Sequence, residues 1–191
     1  AWDIEGVRFE KPKLKMMGIE AVKSSTPGAC RTKIKEALEI IMSGTEDELQ
    51  KFVSDFRKKF EKMPLEDIAF PRGCNNIAKN SSPHSIYGKS CPIHVRGALL
   101  YNHYIKKHKL SNKFPLIQEG EKIKFLYLRK PNRINENVIS FFQTLPTEFG
   151  LDKQVDYELQ FQKSFLDPLK VILDTLGWHY EPQATLEFLF G

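Results

Sequence analysis

The chain has 191 residues, 41% of them hydrophobic and 28% charged, with a net charge of +5 and a pI near 9.0. That length supports one domain, or one domain with a short appendage, and the apolar share is large enough to exclude wholesale disorder. Three cysteines are too few for a disulfide framework and point to free thiols in a reducing compartment, and no run reaches the ~18 apolar residues of a membrane span.

Residues 2–18 carry extended signals. Lys11, Lys13 and Lys15 alternate with Pro12, Leu14 and Met16, a period of two that sets three ammonium groups on one side of a strand. Such a row serves a polyanion, or equally guards a solvated edge strand against aggregation. The start at Ala1, with no Met and inside this run, leads us to expect a piece of a longer protein.

Ser25 or Thr26 is expected to cap a first helix, with Pro27 at its first position, Ile34, Leu38 and Ile41 inward and Gly44 at its end. Thr45 with Glu48 forms a capping box for a second helix. Leu49, Phe52, Val53, Phe56, Phe60 and Met63 make its apolar stripe, and Pro64 stops it. The two helices should form a hairpin across a very short connection.

From Ile68 to Gln118 there is no Asp or Glu. The first half, broken by Pro71, Gly73, Asn75, Asn76, Asn80, Pro83 and Gly88, reads as loop; a helix from about Ile93 to Lys107 follows. Lys122 to Tyr127 and Val138 to Phe142 read as strands around a basic loop. Tyr157 to Leu176 is helical again, and Pro168 should kink or split that helix before Gly177 ends it. From Asp152 onward the balance is −4, leaving +9 for the rest. The expected class is α+β, mainly α, with a helical hairpin, further long helices and a small antiparallel sheet.

Duplex DNA carries about one negative charge per 1.7 Å of axis. Holding it without reading sequence takes Lys, Arg, Asn and backbone N–H groups spread along a groove. The acid-free run supplies that set, and the amides of Asn75 and Asn76 suit the near-uniform acceptors of the minor groove; a solvated polar loop would have the same composition. Cys91-Pro-Ile-His94 has a zinc-like spacing but lacks a second compact pair, so no metal site is expected. No Asp-x-Asp pair is available for two-metal phosphoryl transfer, so no catalytic residue is expected either. Gln183, Leu186, Leu189 and Phe190 have the spacing of one helical turn entering a groove, unless Leu186 and Phe190 fold back on the core.

Several stretches, in order, resemble the C-terminal part of T-even-type phage family-B replicative DNA polymerases. They are Lys11 to Gly18 (KPKLKMMG), Lys23 to Pro27 (KSSTP), Asn75 to Lys79 (NNIAK), Cys91 to Gly97 (CPIHVRG), Phe161 to Phe165 (FQKSF) with Asp167 to Leu169 (DPL), and Leu186 to Phe190 (LEFLF). The resemblance implies that residues 1–20 end the palm, 21–182 form the thumb and 183–191 are a sliding-clamp-binding tail. It implies that Lys11, Lys13, Lys15, Lys23, Asn75, Asn76, Lys79, Lys89, His94 and Arg96 approach duplex primer–template DNA, and that Gln183, Leu186, Leu189 and Phe190 meet the clamp. It places the catalytic aspartates upstream, in the rest of the polymerase chain. This chain would then need no cofactor, Mg2+ would serve the full-length enzyme, and the setting would be the host bacterial cytoplasm. The stretches 80–90 and 132–146 depart from the family pattern. A free-standing basic RNA- or DNA-binding module, or a clamp-interaction module, remains the alternative.

Overall fold

A computed structural model describes residues 23–183. The chain enters through α1 (Gly28–Ser43), whose buried face is Cys30, Ile34, Ala37 and Leu38. The helix starts one residue later than expected: Pro27 itself is the N-cap, no side chain caps the end, and Thr26 is buried instead. The Thr26 N–H closes a turn onto the Lys23 carbonyl at 3.2 Å, so the backbone around Ser25 is already committed to that turn.

After Gly44 and Thr45 comes α2 (Glu46–Phe60), which forms as expected. The Thr45 side chain accepts from the Glu48 N–H, and the Glu48 carboxylate accepts from the Thr45 N–H. Three acids fill its first turn and three bases its last, in the sense the helix dipole favours. Its Phe56 and Phe60 mesh with Phe161 and Phe165, ring centroids 4.9–5.8 Å apart, and this aromatic cluster joins the hairpin to the last helical run.

The stretch expected to be loop holds more structure than its composition suggests. A short helix α3 (Leu65–Ile68) leads into β1 (Phe70–Gly73), and α4 (Ile77–Asn80) follows. Then α5 (Ile93–Lys107) lies against β3 (Val138–Phe141). Gly97 permits that approach: a Cβ there would stand 2.7 Å from the Ser140 nitrogen. With β2 (Lys122–Tyr127) in the centre, the sheet is antiparallel in the order β1-β2-β3. Strand β1 hides in sequence because Pro71, Arg72 and Gly73 are poor strand formers; its position at the sheet edge makes them tolerable.

The helical run near the C-terminus divides as Pro168 requires. It consists of α6 (Tyr157–Phe161), one π-helical turn over Gln162–Leu166, and α7 (Asp167–Leu176), with Pro168 in the first turn of α7. The wide turn spares the proline the hydrogen bond it cannot donate. Gln160, fully buried, accepts from the Tyr127 N–H at 3.1 Å and donates to the Ile68 carbonyl at 2.7 Å. It thereby ties α6 to β2 and α3. The observed fold is α+β, mainly helical with one small antiparallel sheet, as expected.

Candidate nucleic-acid interface

A groove of about 610 Å³ opens between the start of α1 and the β1 edge of the sheet. Arg31, Arg72, Lys122 and Lys124 line it, with the Glu66 and Asp67 side of α3 along one rim. Strand alternation puts Lys122 and Lys124 on the face opposite buried Ile123 and Phe125. On the β1 side their cross-strand partners are Gly73 and Pro71, too small to cover them. Arg72 leans over the Phe70 and Phe125 rings, 5.7 Å from each centroid, and donates to the Ser25 carbonyl at 2.6 Å. Lys124 donates to the Glu66 carbonyl at 2.8 Å. Three segments distant in sequence thus bring four cations to one cleft. Arg31 and Lys122 were legible only as a helix face and a strand alternation; nothing in their own spacing marked them as neighbours.

The expected contact residues divide into two groups. Lys23 is exposed and adjoins Ser24 and Ser25, which line the groove. Asn75 and Asn76 are exposed just past Gly73, which also lines the groove. Asn76 holds a left-handed conformation, φ 62°, and its N–H and that of Ile77 both donate to the Glu119 carboxylate. Lys79 is exposed on α4, and the Asn80 carbonyl accepts from the Gly88 N–H at 2.8 Å, which brings the following loop with exposed Lys89 back to α4.

His94 and Arg96 are half-buried and engage other parts of the chain. Arg96 donates to Asn137 at 2.6 Å and lies over the Tyr87 ring, 5.5 Å from its centroid, while the Tyr87 hydroxyl donates to Glu136. His94 is half-buried with its ring 6.4 Å from that of Phe125; burial and the nearby Arg72 charge hold its pKa below the ordinary 6.5. Lys11, Lys13, Lys15, Leu186, Leu189 and Phe190 lie outside the described residues. Gln183 is exposed, beside a cleft that includes Trp178 and Lys170.

Burial outweighs the Ser164 hydrogen bond at Cys30 and the Arg96 charge near Cys91, both of which favour the thiolate. Burial pushes Cys30 and Cys74 each up to about 11, and Cys91 is raised by the same cause. Among the described residues no three His, Cys, Asp or Glu side chains gather where they could hold a metal, and no helix is long and apolar enough to cross a membrane.

No protein-family model matches the chain. Two phage proteins do. The DNA-directed DNA polymerase of Enterobacteria phage T4 is 33% identical over 194 residues, covering 100% of this chain and 21% of that protein. The DNA-directed DNA polymerase of Escherichia phage RB69 is 35% identical over 193 residues, covering 99% of this chain and 21% of that protein. The chain therefore spans about a fifth of the length of these curated relatives. Its fold also resembles part of the family B DNA polymerase from the hyperthermophilic archaeon Pyrobaculum calidifontis, with a TM-score of 0.52, 14% identity, and coverage of 81% of this chain and 18% of that one. The chain is, along its whole length, a homologue of one segment of the phage family-B DNA polymerases.

Proposed function

We propose that this chain is the thumb region of a DNA-directed DNA polymerase and that it holds the primer–template duplex without regard to sequence. Residues 1–20 would end the palm, 21–182 form the thumb, and 183–191, with Gln183, Leu186, Leu189 and Phe190, bind the sliding clamp. Nucleotide transfer belongs to carboxylates elsewhere in the polymerase, which also hold the Mg2+ such enzymes use. Nothing in this chain needs a cofactor of its own. The working compartment would be the cytoplasm of the infected bacterium, where the three free thiols are at home.

The observation that carries this reading is the meeting of Arg31, Arg72, Lys122 and Lys124 in one groove, with exposed Lys23 next to its Ser24 and exposed Asn75, Asn76 and Lys79 following its Gly73 in the chain. Cations on short, anchored segments suit phosphates, whose contacts position a duplex without reading it. The exposed amides of Asn75 and Asn76 suit minor-groove acceptors that differ little between base pairs.

The test is binding to a fluorescent primer–template duplex across a salt series. The expected affinity is that of non-specific association, with Kd roughly 10⁻⁴–10⁻⁶ M at physiological salt and much tighter at low salt. Replacing Lys79 and Lys122 together by Ala should weaken binding to all sequences alike and lower the slope of log K against log salt by about 2. A chain that binds no duplex even at low salt would end this reading.

A further inference from the structure

The C-terminal end of α5 carries positive charge that the groove does not account for. Lys106, Lys107 and Lys109 are exposed and make no ion pair among the described residues, whereas nearby Lys113 is held by Glu148. The backbone there closes in a Schellman turn: the Lys109 N–H donates to the Lys106 carbonyl and the Leu110 N–H to the Ile105 carbonyl. That turn requires one residue in the left-handed region, where glycine is the low-cost occupant. Here it is Lys109, at φ 56°. A lysine in that position sacrifices backbone stability for a charged side chain at the helix end. Helix-dipole compensation needs no such sacrifice, since Lys106 and Lys107 already supply it.

The place of these charges on the helix gives them direction. At 3.6 residues per turn, Arg96, His103 and Lys107, separated by seven and eleven residues, fall on nearly one line along α5. Arg96 lies at the Tyr87 loop, which α4 anchors, so the line starts beside the segment that presents Lys79 and Lys89. From Arg96 to Lys107 it advances about 16 Å, a rise equal to about five base-pair steps measured along a duplex axis. Exposed His103 and half-buried Tyr104 stand in edge contact at 5.0 Å, with the Lys107 ammonium 5.5 Å from the Tyr104 ring.

We propose that His103, Lys106, Lys107 and Lys109 form a second contact for the sugar–phosphate backbone of duplex DNA, about 16 Å beyond Arg96 along α5. It rests on the reading of the chain as a duplex-holding region and extends its footprint along α5. The partner is a phosphate-lined double helix rather than an acidic protein, because exposed, unpaired lysines suit phosphates and the line along α5 starts beside the segment that presents exposed Lys79 and Lys89.

The test compares two triple variants of equal charge in the full chain. One is Lys106→Ala, Lys107→Ala and Lys109→Gly; the other removes exposed Lys51, Lys58 and Lys59 from α2 by substitution with Ala. On a 20-base-pair duplex the first should lose affinity about tenfold and lower the salt slope by about 2.7, three contacts at 0.9 each, while the second loses less than about twofold. Lys109→Gly alone should raise the melting temperature while weakening binding, an opposition that a purely structural lysine would not produce. Equal losses in the two triple variants, or no loss in the first, overturn the second contact alone. An unmodified chain that binds no duplex at low salt overturns both readings.

Discussion

His94 shows how surroundings set the protonation of a single side chain. The fold places its ring near Phe125 and Arg72, where the neutral form is favoured. The folded pKa lies below 6.5, so the unfolded chain takes up the proton first. The stabilising contribution is therefore complete above about pH 6.5 and is lost as pH falls toward and through the folded value. We expect the melting temperature to drop between about pH 7.5 and 5.5, and His94→Gln to flatten that part of the profile; a variant with the unmodified profile would show that another group governs it. Surroundings act on Arg96 in a comparable way, since its bond to Asn137 and its place over Tyr87 make it a brace between loops as well as a cation.

Between elements, the strongest polar constraint is Gln160. It saturates one backbone donor on β2 and one backbone acceptor at the end of α3 from inside the core, where water cannot replace it. Gln160→Leu keeps the approximate volume and removes both bonds. Leaving buried backbone groups unpaired costs about 1–3 kcal/mol each. The expected loss is about 3 kcal/mol, read as a shift of about 10 °C in the thermal midpoint for a chain of this size. A shift under about 2 °C would mean the two groups find other partners. The groove depends on this join, because β2 carries Lys122 and Lys124 while α3 supplies the opposite rim.

For the molecule as a whole, the described helices and sheet share one core: α1, α2, α6 and α7 bury Ile34, Phe56, Phe161 and Leu169 against one another and the sheet. The chain leaves this core held to α2, where the His179 N–H donates to Glu46, Gln50 donates to the His179 carbonyl, and Arg57 pairs with both Glu158 and Glu181. Deleting residues 183–191 should therefore change the thermal midpoint by less than about 2 °C and leave duplex binding intact, while abolishing capture by the cognate sliding clamp in a pull-down. Loss of folding would mean instead that Leu186 and Phe190 complete the core.

The long helices and two of the strands were legible in the residues because apolar periodicity, a capping box and proline punctuation are local properties. Leu49, Val53, Phe56 and Phe60 specify a buried helix face wherever that helix docks. The sequence by itself also determined the overall charge asymmetry and the family resemblance carried by NNIAK and CPIHVRG. It left β1 hidden, because an edge strand of Phe70-Pro71-Arg72-Gly73 has neither alternation nor propensity and exists only through pairing with β2. Only the tertiary structure decided which partners each cation meets. Arg31, Arg72, Lys122 and Lys124 meet because α1, β1 and β2 pack there, and Arg96 is braced because Asn137 and Tyr87 arrive from elsewhere in the chain. A charge depends for its partners on residues distant in sequence, whereas a helix takes most of its shape from residues three and four positions away.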